Sequence, residues 1–511
     1  MSIEISDRTT RFARIYTDLG ESNTSEAFSK FAIGIVGNSG LLKTHNGQVM
    51  AIAIANLLPR FHPHLKIILP EGIERRVWVP FGYDGDLRTC MSNIITMIGS
   101  QVDLDDSSDM DILISIGKTL HHAHHKISIN SDGWNAYFSV DDECIDFMSR
   151  NDNAIGALTA ASFAAAEAFR RLLELLGSKD RRIQLRRRTF SFSALDYSVN
   201  DCTAPNLSLP EMIDIQDVTV VGAGAVANGL IFALGCMPNI KGVIRIVDPQ
   251  SYDITNLNRC LLANISHVGL HKAKAILNIR FEHLQIIPFV GRYETFRQKR
   301  KKLELVISTI DENDPRIIIQ SDLPKLLLHG ATGENVATIS RHNFIDCACL
   351  GCLFSEYEPL TTRISRETGI TIEEVEKLLA EEIVVSQEQI LRIALKTGIP
   401  YEKIACYIGK PFVKLYNREI CGVVTVDLSQ QQVAATAPFV SALPGILLTS
   451  EIIKEKIQEL APFRLNNYLS ISLFSPSARW LQKRPKEERC RCLCSDPIMI
   501  ELYQKKWQND E

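Results

Sequence analysis

The sequence predicts an α/β protein made of two doubly wound units in tandem. Three observations carry that prediction. Val218–Val221 is a β-branched run that feeds Gly222-Ala223-Gly224-Ala225-Val226-Ala227, the strand–turn–helix signature of a nucleotide-binding βαβ unit. Phe31–Gly37, followed by Asn38-Ser39-Gly40, repeats that strand and turn 185 residues earlier. Two later landmarks recur at similar offsets, 177 for Glu71 against Asp248 and 194 for Gly117 against Asp311. Near-constant offsets are expected of two copies of one fold with loop variation.

The elements follow in order. In the first copy a strand over Phe31–Gly37 leads into a helical run over Asn46–Leu58. Lys66–Glu71 and Asp111–Gly117 are then strands, and Ala154–Leu176 is an alanine-rich amphipathic helix. In the second copy the strands are Val218–Val221, Val243–Val247 and Leu305–Ile310, and Ala437–Ile457 is the closing helix. The two closing helices are 283 residues apart, so the second copy carries an insertion of roughly 90 residues before its last helix. Thr361–Lys410, within that insertion, has helical periodicity at Ile370, Val375, Leu378, Leu379, Ile390, Leu391, Ile393 and Leu395.

Composition narrows the function classes. At 511 residues the chain is long enough for about three domains. A net charge of −4 gives no electrostatic footprint for nucleic acid. Without an uncharged apolar run of about 18 residues, no membrane span is expected. Met1–Phe12 is polar and of mixed charge, which predicts no secretory signal. The thirteen cysteines are bunched rather than spread, pointing to a reducing, cytoplasmic setting with metal-binding or catalytic thiols.

The second copy carries the chemistry. Gly222 permits the tight turn and Gly224 lets backbone N–H groups approach a phosphate at the helix N-terminus. Asp248 ends the next strand, where a carboxylate can accept both ribose hydroxyls. Thr255-Asn256-Leu257-Asn258-Arg259, and Lys272 thirteen residues on, add amides and two cations beside the phosphate turn. The block Val218–Lys274 resembles the adenylating domain of ubiquitin-activating enzymes and their bacterial relatives in the ThiF/MoeB superfamily. That pattern is strand, GxGxxG, a strand ending in Asp, SNLxRQ and GxxKA. Here Thr255 stands for the Ser, Cys260 for the Gln and Ala227 for the third Gly. The changes at 227 and 255 are small for small, whereas Cys260 removes an amide.

The resemblance implies two Rossmann-like ThiF-type domains in a pseudo-twofold arrangement. Residues 1–190 would form a degenerate, inactive adenylation domain, and 191–352 the first part of the active one. A helical and catalytic-cysteine insertion would follow over 353–433, with 434–511 closing the active domain. ATP is the implied cofactor. Asp311, after the strand Leu305–Ile310, would hold Mg²⁺. Arg11-Phe12-Ala13-Arg14 resembles the family's RYxRQ opening, so Arg14 would reach across to the phosphates of the other half; a fork of permanent charge suits that role. The first copy has lost the chemistry: Asn38-Ser39 fills its glycine motif, an NLxR segment is missing and Gly117 replaces the acid. His121-His122-Ala123-His124-His125 is either a solvated loop or a metal site.

Two cysteine clusters, Cys347-Ala-Cys349-Leu-Gly-Cys352 and Cys490-Arg-Cys492-Leu-Cys494, can staple distant segments around one tetrahedral zinc. The expected ligands are Cys349, Cys352, Cys492 and Cys494, with Cys347 or Cys490 able to substitute; an iron–sulfur cluster is the other option. In thioester-forming relatives the nucleophile opens the crossover segment after the zinc cysteines, a placement Cys421 matches. Cys406, flanked by apolar residues, is expected to be buried and is the other candidate. A third option is no catalytic cysteine at all.

The implied function is activation of a ubiquitin-like protein ending in glycine, with a conjugating enzyme as acceptor, as in bacterial ubiquitin-like conjugation operons of antiviral defence. No nucleic-acid or membrane partner is expected. A sulfur-carrier adenylyltransferase that stops at the acyl-adenylate would use the same ATP residues. A dehydrogenase or non-catalytic nucleotide sensor would use Gly222, Gly224 and Asp248 but leave Asn256, Asn258, Arg259, Lys272 and Asp311 without a purpose.

Overall fold

In the computed structural model two sheets have the same strand order. The structure describes residues 24–507 except 83, 105–109, 141–146, 149–150, 179, 181–182, 184–187, 201–204, 280, 301, 312, 334, 355–359, 380–383, 417–418, 420–424, 429–430, 435, 475–480, 483 and 487–492. The first sheet comprises β1 (Ile33–Gly37), β2 (His64–Ile68), β3 (Gln101–Asp103), β4 (Ile112–Ile116), β5 (His125–Asp132), β6 (Asn135–Val140) and β7 (Thr189–Ser193). Its order is β3-β2-β1-β4-β5-β6-β7, parallel as far as β5 and antiparallel beyond it.

The second sheet begins with β8 (Ile213–Val221), β9 (Ile240–Asp248), β10 (Leu284–Val290), β11 (Leu305–Ser308), β12 (Leu326–Thr332) and β13 (Val336–His342). After a hairpin, β14 (Thr425–Leu428) and β15 (Gln431–Ala434), it resumes with β16 (Tyr468–Ser472) and β17 (Leu481–Gln482). The order β10-β9-β8-β11-β12-β13-β16-β17 repeats the first with one strand added, and the switch to antiparallel pairing comes at the same place. The central strands β1, β4 and β11 are buried at every position, as parallel strands covered on both faces must be.

The principal helices of the first half are α1 (His45–Leu57), α2 (Leu87–Ile98) and α3 (Ile155–Leu175). In the second half α4 (Ala225–Gly235) follows β8 and α5 (Asn313–Ser321) follows β11. The insertion adds α6 (Leu360–Thr368), α7 (Ile372–Leu379) and α8 (Gln387–Thr397); α9 (Pro438–Lys456) and α10 (Pro497–Trp507) close the chain. α3 and α9 occupy equivalent places, between the sixth and seventh strands of each sheet. Both are buried almost end to end, so neither has a polar face to spare for solvent. Alanines along α3 and glycines where α4 crosses α9 allow this. A Cβ on Gly445 would sit 2.4 Å from the Val226 carbonyl oxygen, and one on Gly229 2.9 Å from that of Ala442. Phe61 and Phe169 of the first half and Phe439 of the second form a triangle of rings with centroids 5.5–6.1 Å apart. The halves thus share one apolar core rather than abutting through polar surfaces.

Phe354–Ala435 is a compact unit distinct from the rest of the chain. Its core is Ile364, Ile370, Val375, Leu378, Ile390, Ile393, Ile404, Phe412 and Leu415. Ser386 and Gln389 form a capping box at the start of α8, and Gly398, at φ +72°, ends it. The expected helical repeat is there, but Leu391 and Leu395 face outward, Leu395 being 86% exposed. The expectation of a buried Cys406 is overturned: it is exposed. It lies in the 3₁₀ turn Ala405–Tyr407, which sends the flanking Ile404 and Tyr407 inward and turns the residue between them out. Among the described residues no helix is long and apolar enough to cross a membrane.

Candidate functional site

The glycine turn lies at the carboxyl end of β8. Gly222 adopts φ +94°, and a Cβ there would stand 2.9 Å from Thr309 Oγ1, so the backbone and the neighbouring turn both require glycine. Gly224 differs. It caps α4 with no side-chain hydrogen bond, and a Cβ on it would meet nothing within 4 Å. The protein's own packing does not demand glycine at 224, whereas an anion seated on the first turn of α4 would.

Asp248, at the end of β9, is 6% exposed. Its carboxylate accepts the N–H groups of Ala223 and Gln250, each at 2.7 Å. These bonds take about half of a carboxylate's acceptor capacity and fix its orientation, leaving room for a ligand hydroxyl. Gln250 in turn accepts from Lys272 Nζ at 2.7 Å, which holds that buried ammonium beside the same strand end.

The loop after β9 carries the remaining predicted groups. Asp253 and Asn256 form a reciprocal cap, in which Asp253 Oδ1 accepts from Thr255 N–H and Asn256 Oδ1 from Asp253 N–H. Asn258 is buried, and its Oδ1 accepts from Arg259 Nη1 at 3.0 Å; the same nitrogen donates to the Thr255 carbonyl. The half-exposed guanidinium of Arg259 is therefore braced at one end. Cys260 is buried, and burial pushes its thiol up against the opposing pull of Arg259 and Lys272. Asp311, past the end of β11, is exposed, and Arg316 on α5 shapes its turn by donating to the Ile310 carbonyl at 2.9 Å. Gly222, Gly224, Asp248 and Asp311 thus follow the carboxyl ends of the adjacent strands β8, β9 and β11, the edge where open α/β sheets bind ligands.

One residue with no sequence signal holds this edge together. Asn228, on the first turns of α4, donates to the carbonyls of Ala223 and Gly224, pairs with Tyr252 Oη and accepts from Leu262 N–H. It therefore joins the glycine turn to the far side of the 253–263 loop. A lone buried amide on an apolar helix carries no motif, so only the folded chain reveals it.

The model of the ThiF family matches residues 209–492, from the start of β8 to the C-terminal cysteines. The chain belongs to the ThiF family. A curated relative, the uncharacterized protein y4jF of Sinorhizobium fredii (strain NBRC 101917 / NGR234), is 30% identical over 401 residues, 75% of this chain and 74% of that one. A crystal structure of E. coli MccB with MccA-N7isoASN aligns over 72% of this chain and 98% of its own. Its identity is 14% and its TM-score 0.33, too distant a likeness to transfer any residue. Membership of the ThiF family assigns the coarse chemistry: this is an enzyme that uses ATP to adenylate a carboxylate of its substrate.

In this ThiF-family chain the cysteines gather as well. Among the described residues, one group of ligating side chains is close enough to share an ion: Cys349, Cys352 and Cys494, all buried, with their sulfur atoms within 4.8 Å of one another. Cys349 and Cys352 are 3.8 Å apart and Cys352 and Cys494 3.5 Å. Tetrahedral zinc with Zn–S bonds of about 2.3 Å has sulfur–sulfur edges of about 3.8 Å. The cluster fits that geometry as three corners. The hydrogen bond that Cys349 donates to Cys352 Sγ favours its protonated form and pushes it up to about 11; a bound cation would reverse that. Cys347 points elsewhere, toward the Arg341 and Asn466 carbonyls. Cys492, the expected fourth ligand, lies outside the described residues, as do Cys490, Arg14 and Cys421. His122 and His124 are exposed.

Proposed function

We propose that this chain activates the C-terminal carboxylate of a ubiquitin-like protein in two half-reactions. In the first, a carboxylate oxygen attacks the α-phosphorus of ATP, the bond to the β-phosphate oxygen breaks and pyrophosphate leaves. Positioning and charge neutralisation carry such a step. The observation that supports it most is the uncapped start of α4 facing open space at Gly224, with Asp248, Arg259 and Lys272 held by the adjoining loop. Asp248 would take the ribose, and Gly222, Gly224, Thr255, Asn256 and Asn258 would line the nucleotide. Arg259, Lys272 and Arg14 would offset phosphate charge. Mg²⁺ held by Asp311 would supply further charge neutralisation. Zinc on Cys349, Cys352, Cys494 and Cys492 would be structural.

In the second half-reaction the thiolate of Cys421 attacks the acyl carbon, AMP leaves, and the thioester passes to a conjugating enzyme. Cys406 is a second candidate, favoured by its exposure. The test is exchange of labelled pyrophosphate into ATP, with and without small ubiquitin-like proteins, followed by a gel for a band that reducing agent releases. Cys421→Ala should keep exchange and lose the band. Retention of the band in Cys421→Ala with its loss in Cys406→Ala moves the nucleophile to Cys406. No band in the wild type leaves an enzyme that stops at the adenylate, as sulfur-carrier activation does. Arg14→Ala should slow exchange.

A further inference from the structure

Arg60 is fully buried at the end of the 3₁₀ turn that follows α1, in the half without a nucleotide motif. Its guanidinium reaches into the other half. Nη1 donates to the Leu257 carbonyl, and Nη2 donates to the carbonyls of Leu261 at 3.1 Å and Ala263 at 3.3 Å. Nε and Nη2 also donate to Asn56 Oδ1, at 3.0 and 2.8 Å, while Asn56 Nδ2 donates to the Leu261 carbonyl at 3.0 Å. The three carbonyls bracket Asn258, Arg259 and Cys260. Removing a cation from water costs several kcal/mol, a cost an apolar side chain in the same place would avoid. Burial pulls Arg60 down to about 10, so it stays charged at neutral pH.

The fork does something an apolar side chain cannot. In a trans peptide the C=O and the next N–H point in opposite directions. Drawing the carbonyls of Leu257, Leu261 and Ala263 toward Arg60 turns the N–H groups of Asn258, Leu262 and Asn264 away from it. Leu262 N–H is met on that side by Asn228, the residue tied to the glycine turn. The loop is thus stretched between a clamp from each half.

We propose that Arg60, oriented by Asn56, is a positioning residue of the adenylation site, through which the degenerate half sets the conformation of the loop bearing Asn258 and Arg259. The proposal rests on the adenylation reading above. Its test uses the full chain and MgATP as the probe, with the dissociation constant, KM for ATP in pyrophosphate exchange and Tm measured for wild type, Arg60→Lys and Asn56→Ala. Lysine keeps the charge but loses the planar fork. Both variants should weaken MgATP binding about tenfold or more, the equivalent of one hydrogen bond to a charged group. That loss should persist at temperatures where the variants are fully folded. Free guanidinium should partly restore binding to Arg60→Ala and leave Asn56→Ala unchanged. Folded variants that bind MgATP within twofold of wild type overturn the proposal while the adenylation reading stands. Failure of the wild type itself to bind MgATP removes that reading, and this inference with it. Should Arg60→Lys not fold, Asn56→Ala decides.

Discussion

The two halves share a strand order and treat the turn after their first strand in opposite ways. In the first half Asn38 Oδ1 accepts the N–H groups of Gly40 and Leu41, at 2.9 and 3.1 Å. Thr44 then caps α1 by accepting from Gly47 N–H. Leu42 packs so closely that a Cβ on Gly37 would lie 2.7 Å from it, and Leu41 lies 2.9 Å from where a Cβ on Gly117 would point. The Asn38 side chain thus takes amides whose counterparts at the start of α4 have no side-chain cap, and a glycine stands where the second half has Asp311. The fold therefore does not specify a nucleotide site. A site needs amides left without an internal acceptor and a carboxylate held ready. The half that fills its turn can instead serve as scaffold, which is what the shared ring triangle and Arg60 indicate.

The sharpest way to break that comparison is to disable one half chemically. Arg259→Ala or Asp311→Ala should lower pyrophosphate exchange by roughly 100-fold or more, the scale of losing a preorganised charge at the reacting phosphates. The Tm of Asp311→Ala should hardly move, since Asp311 is exposed. Wild-type exchange in either variant would show that the active turn is not where the comparison puts it. Next in size is the cysteine cluster: the purified protein should carry about one zinc per chain, and Cys352→Ser should cost on the order of 4 kcal/mol, as loss of a structural metal does. A zinc-free protein, or an unchanged melting curve for Cys352→Ser, contradicts this.

Acid should act on the scaffold half. His62 is buried, donates from Nε2 to the Phe28 carbonyl and accepts His64 N–H at Nδ1, and burial lowers its pKa to about 4. The folded state thus binds its proton less readily than the unfolded chain, which titrates near 6.5. The stability it contributes is complete above about pH 6.5 and lost as pH falls toward 4, at most on the order of 3 kcal/mol. Denaturant melts of wild type and His62→Gln should converge over that window; parallel curves would exclude His62 as the cause.

Smaller effects sharpen the contrast between glycines. Gly222→Ala should destabilise by about 1–2 kcal/mol through its left-handed φ. Gly224→Ala should stay within about 0.5 kcal/mol of wild-type stability yet weaken ATP binding. Gly40→Ala should leave exchange unchanged, with a stability loss below about 1 kcal/mol; a loss of exchange there would mean the first turn is not inert.

Much of this was legible in the residues because it is local. A β-branched run before Gly222, an acid ending the next strand and the same order 185 residues earlier all follow from backbone and side-chain rules that act over a few positions. Helical spacing likewise foretold the buried face of the insertion, but not that Leu395 and Cys406 would face out, because burial depends on what packs opposite. The cysteine spacing foretold a cluster but not that Cys347 would turn toward carbonyls instead. The sequence by itself therefore determined two doubly wound copies, the location of the nucleotide motif and its loss from the first copy. Only the tertiary structure decided that Asn38, Leu41 and Leu42 fill the first turn, that Asn228 ties the second turn to its loop, and that Arg60 grips that loop from the other half. Those partners lie up to 203 residues apart, and bonds from side chains to backbone carbonyls leave no trace in residue type, since every residue offers the same acceptor.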